Sequence, residues 1–222
     1  YIATESDLTS LCATEDVNGY YVLTDDITLT GTFAGITTGT FTGIFDGRGH
    51  SISGGNLSNS LLGAKANNVM VKNLAITDTV VQGIGKGTLA ISITGVSSVE
   101  NVYINLKKPN EYSGLTGTLA YSVKGTLTTK NVVTYLVENW AAQAAFVSWT
   151  VTKETTINGT NCHAGSGKGN LPNVVTATGT CTGVENYTSL EAMQTAYTNG
   201  NIDISWATTF SFYQALATCL GV

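Results

Sequence analysis

Hydrophobic positions along this chain of 222 residues recur at two different periods, and the change from one to the other divides it. In Ser6-Asp7-Leu8-Thr9-Ser10-Leu11-Cys12, the apolar residues Leu8, Leu11 and Cys12 fall at i, i+3 and i+4 behind a polar cap. That spacing predicts a short helix. From Tyr20 the period shortens to two. Tyr20-Tyr21-Val22-Leu23 and Ile27-Thr28-Leu29 predict strands, and glycine-punctuated alternation continues through Phe33, Ile36, Phe41, Ile44 and Phe45. Near the C-terminus the helical period returns. Thr188-Ser189-Leu190-Glu191 has the form of a capping box, with Leu190, Met193 and Tyr197 on one face and a stop near Gly200.

Between these ends lies a repeat. Lys72-Asn73-Leu74-Ala75-Ile76 is echoed by Glu100-Asn101-Val102-Tyr103-Ile104 and by Lys130-Asn131-Val132-Val133-Thr134-Tyr135, with the asparagines 28 and 30 residues apart. A weaker fourth echo stands at Thr155-Thr156-Ile157-Asn158. One asparagine per unit at such a period is the mark of a solenoid whose short parallel strands stack coil on coil over one core. Asn73, Asn101 and Asn131 are expected at a corner, where asparagine tolerates left-handed φ and its amide can bond to the next coil.

The stretch Gly43-Ile44-Phe45-Asp46-Gly47-Arg48-Gly49-His50-Ser51-Ile52 carries the chain's only arginine and one of its 2 histidines. Its composition suggests chemistry. Its place in the coil pattern instead makes Asp46, Gly47, Gly49 and His50 a structural turn, with glycines supplying positive φ and Asp46 closing an Asx-turn.

Several of these segments also resemble a known group. Ile2-Ala3-Thr4-Glu5-Ser6-Asp7-Leu8, then Gly19 to Leu29, then Phe41 to Ile52 as FxGxFDGxGHxI, and Leu61-Leu62-Gly63 look like the entry of bacterial surface proteins with GLUG-type repeats. The resemblance implies a right-handed parallel β-helix and a cell-surface adhesin or appendage module. It implies no catalytic residue. The expected fold is therefore all-β: a single-stranded right-handed parallel β-helix (solenoid) with short helical caps at both ends. It forms one domain over 1–222, with an N-terminal cap at 1–18, coils at 19–185 and a C-terminal cap at 186–222.

Composition narrows the partners. Charged residues are 11% of the chain and the formal net charge is −5, with the 10 Lys and Arg forming no stripe. Phosphate-backbone binding is disfavoured, so no nucleic-acid partner is expected. No apolar run approaches the ~20 residues needed to cross a bilayer, so no membrane span is expected. Four cysteines allow three pairings. Cys162 and Cys181 suit a local bridge, while Cys12 and Cys219 fit buried free thiols as readily. Sequons at Asn56, Asn158 and Asn186 and the sparse charge lean towards a secreted, cell-surface or virion-surface protein.

Parallel β-helices include polysaccharide lyases and glycosidases, so an enzyme of that kind is the alternative. Its candidate carboxylates are Asp25, Asp26, Asp46, Asp78, Glu100, Glu111 and Glu138. The polygalacturonase signatures Asn-Thr-Asp, Gly-His-Gly and Arg-Ile-Lys are missing, and Arg48 sits in a turn. The reading is thus of a non-catalytic module with no cofactor and no metal. It would bind a glycan or cell-surface ligand, or copies of itself. Tyr103, Tyr112, Tyr121, Tyr135 and Trp140 are the candidate ligand-binding aromatics, with core packing as their competing role.

Overall fold

The computed structural model describes residues 1–13, 17–37, 39–81, 85–107, 116–137, 143–144, 146–150, 152–166 and 174–222. Helix α1 (Glu5–Cys12) opens the chain. The strands are β1 (Tyr20–Val22), β2 (Ile27–Phe33), β3 (Ile44–Leu57), β4 (Lys65–Asn67), β5 (Met70–Val81), β6 (Lys86–Gly87), β7 (Ala90–Lys107) and β8 (Thr116–Gly117). They continue as β9 (Ala120–Leu136), β10 (Gln143–Ala144), β11 (Val147–Thr150), β12 (Thr156–Ser166), β13 (Val174–Ala177) and β14 (Thr180–Tyr187), before helices α2 (Leu190–Thr198) and α3 (Tyr213–Cys219). Pairings between named strands are parallel, and they wind into a β-solenoid of about 5 turns.

The longer strands bend at corners rather than stop there. In β7, Gly95 and Asn101 both hold positive φ, at 70° and 55°. The bends divide each middle coil into faces whose residues stack in columns, with register shifts confined to points such as Thr77 to Thr79. Met70, Ser98, Thr128 and Asn158 align on one face. Beyond the asparagine corner, Leu74, Val102, Val132 and Cys162 align on the next, at 1% exposure or less. Alternation sends those four inward and sends the next column, Ala75, Tyr103, Val133 and His163, outward.

The helices at the two ends of the chain do different jobs. Thr4 caps α1: its hydroxyl accepts from Asp7 N at 3.2 Å, and the Asp7 carboxylate accepts from Thr4 N at 3.0 Å. Leu8 and Cys12 then point into the solenoid core and close its first coil. Cys12 is a free thiol, pushed by burial up to about 12. The C-terminal segment instead folds back along the flank. Met193, Ala196, Ile202, Phe212 and Leu216 form a second core with Ala75, Tyr103, Val133 and Tyr135, outward residues of three successive coils. Its α2 is capped by Ser189, whose Oγ accepts from Ala192 N at 3.1 Å, one residue later than the capping-box pattern places the cap. With Ser189 as the cap, Glu191 falls one position short of where a box needs it.

Candidate functional site

The asparagine corner is a continuous hydrogen-bonded file. Asn101 Nδ2 donates to Asn73 Oδ1 at 2.9 Å, Asn131 Nδ2 to Asn101 Oδ1 at 2.8 Å, and Asn161 Nδ2 to Asn131 Oδ1 at 2.9 Å. All four asparagines hold left-handed φ between 50° and 55°. Only glycine, asparagine and aspartate visit that region cheaply. The fourth rung is Asn161, not the Asn158 of the weak echo: Asn158 lies exposed in the middle of a face. The spacing carried the signal, since Asn161 follows Asn131 by the same 30 residues that separate Asn131 from Asn101.

The file ends in different chemistry at its two ends. At its N-terminal end, Asn73 Nδ2 donates to Asp46 Oδ1 at 3.0 Å, and Arg48 N donates to the same oxygen at 2.9 Å, closing the expected Asx-turn. The Tyr20 hydroxyl donates to Asp46 Oδ2 at 2.7 Å, and Lys72 Nζ lies 3.5 Å from that oxygen. Burial opposes ionisation of Asp46, yet these four donors outweigh it and hold its pKa below the ordinary carboxylate value. Gly47 is required by close approach, because a Cβ there would lie 2.3 Å from Asn73 O. Gly49 has φ +86° and lies under the Phe210 ring. His50 begins the following strand segment, with Nδ1 3.8 Å from Asp26 Oδ1. At the far end, Asn161 Oδ1 lies 2.9 Å from His163 Nε2, and Asn161 Nδ2 donates to Asp203 O at 2.8 Å. Acceptance by Asn161 assigns the proton to Nε2, leaving Nδ1 to accept from the Tyr187 hydroxyl at 3.1 Å. Burial lowers the His163 pKa to about 4.

Among the described residues, the carboxylates proposed for catalysis each have a structural partner, and the two that share a column, Asp46 and Glu100, are separated by Lys72. Asp26 accepts from Ser51 N at 2.6 Å and from Ser211 Oγ at 2.7 Å, joining the second coil to the C-terminal segment. Asp78 pairs with Lys107 at 3.0 Å and Glu100 with Lys130 at 3.3 Å. Asp25 accepts from Thr24 Oγ1 at 3.4 Å. Glu111 and Glu138 lie outside the described residues. No group of three metal-ligating side chains occurs among the described residues.

Two expectations need correction. Tyr103 and Tyr135, proposed to bind ligand, are 0% and 5% exposed and lie under the C-terminal segment. Tyr103 sits beside the Cys219 thiol, and burial pushes its phenol well above the ordinary value. Of the other aromatics, Tyr121 is half-buried, and Tyr112 and Trp140 lie outside the described residues. Cys162 and Cys181 are free thiols. They occupy different columns, Cys162 opposite Val184 and Cys181 opposite Ile157, on either side of the asparagine corner. Cys162 Sγ instead donates to Thr129 Oγ1 at 3.3 Å. Of the sequons, Asn158 is exposed, whereas Asn56 and Asn186 are half-buried within β3 and β14.

The surface feature that sequence reasoning missed is an open groove of about 460 Å³ beside the first coils. It is lined by Tyr20, Met70 and Val96 together with Asn18, Thr42, Asn68 and Ser98. Tyr20, Ile44, Met70 and Ser98 are one stacked column, so the groove runs along the solenoid axis. Tyr20 is 56% exposed and Val96 74%. The alternation of β1 marked Tyr20 as outward. Nothing local marked the hydroxyl partner 26 residues away. Compared with known proteins, the chain matches no family model, no curated protein and no solved structure.

Proposed function

We propose that the chain is a secreted or surface-exposed, non-catalytic β-helix module, acting as an adhesin, a glycan-binding element or a structural subunit of an extracellular or virion appendage. The resemblance to GLUG-type surface β-helices points the same way. The observation that carries the reading is the use of the carboxylates: Asp26, Asp46, Asp78 and Glu100 are each committed to a structural contact, and Asp46 and Glu100, which share a column two coils apart, have Lys72 between them. Glycosidic cleavage needs a pair converging on one bond. The low share of charged residues, 11%, suits a surface that meets sugars or other copies in water.

A panel of polysaccharides tested together for binding and for release of reducing ends or unsaturated uronates separates this reading from its rival. Binding without turnover is the expected result. Turnover of any member would replace the module with a polysaccharide-degrading enzyme.

A further inference from the structure

We propose that the groove around Tyr20 binds a neutral oligosaccharide, with the Tyr20 ring as its stacking platform; this rests on the glycan-binding reading above and gives it a site. Among the described residues, three of the six exposed large apolar ones, Tyr20, Met70 and Val96, line this one groove. Convergent apolar exposure rimmed by polar groups marks a binding surface. The volume of about 460 Å³ falls within the size range of small-ligand sites.

The platform is fixed in advance. The Tyr20 hydroxyl is held by Asp46 at 2.7 Å, while Lys72 Nζ stands 5.7 Å from the ring centroid. The ring belongs to neither core cluster. An amphipathic ring anchored at its polar tip presents apolar area at little entropic cost. Around it, Asn68 Oδ1 accepts from Val96 N at 2.9 Å, which orients the amide. Among the described residues, no hydrogen bond engages Asn68 Nδ2 or the side chains of Asn18, Thr42 and Ser98. These groups supply donors and acceptors for sugar hydroxyls while the ring takes a C–H face.

The charge pattern selects the class. Among the described residues no ionised side chain lines the groove, and the Lys72 ammonium over the Tyr20 ring is paired with Asp46 at 3.5 Å. An anionic sugar would have to compete with Asp46 for that ammonium, whereas a neutral one need not. A protein partner would find too little apolar area, given the ~1,000 Å² that a specific interface requires. The larger groove of the C-terminal segment, about 730 Å³, is the weaker site because its Tyr197 and Tyr213 pack against the second core.

The test is direct titration of the full chain with gluco-, galacto- and manno-oligosaccharides of increasing length, with oligogalacturonate and sialyllactose as charged comparators. At least one neutral probe is expected to bind, and Tyr20→Ala to weaken it by about tenfold or more. Met70→Glu, which leaves the Tyr20–Asp46 bond in place, is expected to do the same without lowering the melting temperature. Undiminished binding in both variants would refute the groove and leave the glycan reading standing. Preference for the charged probes would refute the neutral assignment. Failure of the wild type with every probe would refute this inference and the glycan reading together.

Discussion

Two faces of the same coils meet at the asparagine corner and have opposite fates. On one side, the outward column Ala75, Tyr103, Val133 is sealed beneath the C-terminal segment. On the other, Tyr20, Met70 and Ser98 remain open to water around a groove. Both columns obey the same alternation, and both carry a tyrosine. What separates them is a segment more than fifty residues further along the chain. It brings apolar side chains to one face and none to the other. An outward aromatic on a solenoid is therefore not in itself a ligand platform.

The contrast breaks most visibly at Tyr103. Tyr103→Ala is expected to remove about 3–5 kcal/mol of stability through the cavity it leaves beneath α3, measured by denaturant unfolding, with no effect on carbohydrate binding by the folded fraction. A loss of binding at unchanged stability would return Tyr103 to the ligand site.

Next in size is the corner itself. Asn101→Ala forces a β-carbon into left-handed φ and deletes two rungs, which is expected to cost about 2–3 kcal/mol. Asn101→Gly keeps the backbone and loses only the rungs, for about 1 kcal/mol more cheaply than alanine. Equal losses in the two variants would show that the amide file, not the backbone, dominates.

Acid separates the two ends of the file. His163 takes up its proton at about 4 when folded, against 6.5 ordinarily. Between those values the unfolded chain binds the extra proton, so stability falls as pH is lowered through that window. His163→Gln keeps a donor for Asn161 and is expected to flatten that slope. Asp46 acts lower: its depressed folded pKa adds stability above 3.8, which is lost as pH falls through the folded value. Melting temperatures from pH 7 down to 2 follow both windows.

The smallest effect on stability is expected at the open face. Tyr20→Phe loses one part-buried hydrogen bond to a carboxylate that keeps its other donors, about 1–1.5 kcal/mol, yet frees the ring from Asp46. Titration with the neutral probe is expected to show several-fold weaker binding than wild type. A larger stability loss with intact binding would make Tyr20 an anchor for Asp46 instead of a platform.

How much of this was legible follows from the range of each interaction. Asn73, Asn101 and Asn131 could be read because a left-handed corner restricts the residue at that position itself, whatever surrounds it. Asn161 could have been read from the period, had Asn158 not drawn attention to the preceding face of the same strand. The turn at Asp46 to Gly49 was legible for the same local reason. The mispairing of Cys162 and Cys181 came from sequence spacing, which says nothing about which column each strand residue joins. The groove was not legible, because Tyr20, Met70 and Val96 come from three different coils.

The sequence by itself therefore determined the coil, since alternation, a repeated corner asparagine and glycine turns are constraints each residue satisfies with its near neighbours. The tertiary structure alone decided which outward residues stay outside. That choice depended on where the C-terminal segment came to rest, held by Ser211 on Asp26 and by Asp203 on Asn161. These contacts join residues 185 and 42 positions apart. Burial of a surface column is a property of two distant segments together, and no period along one of them encodes it.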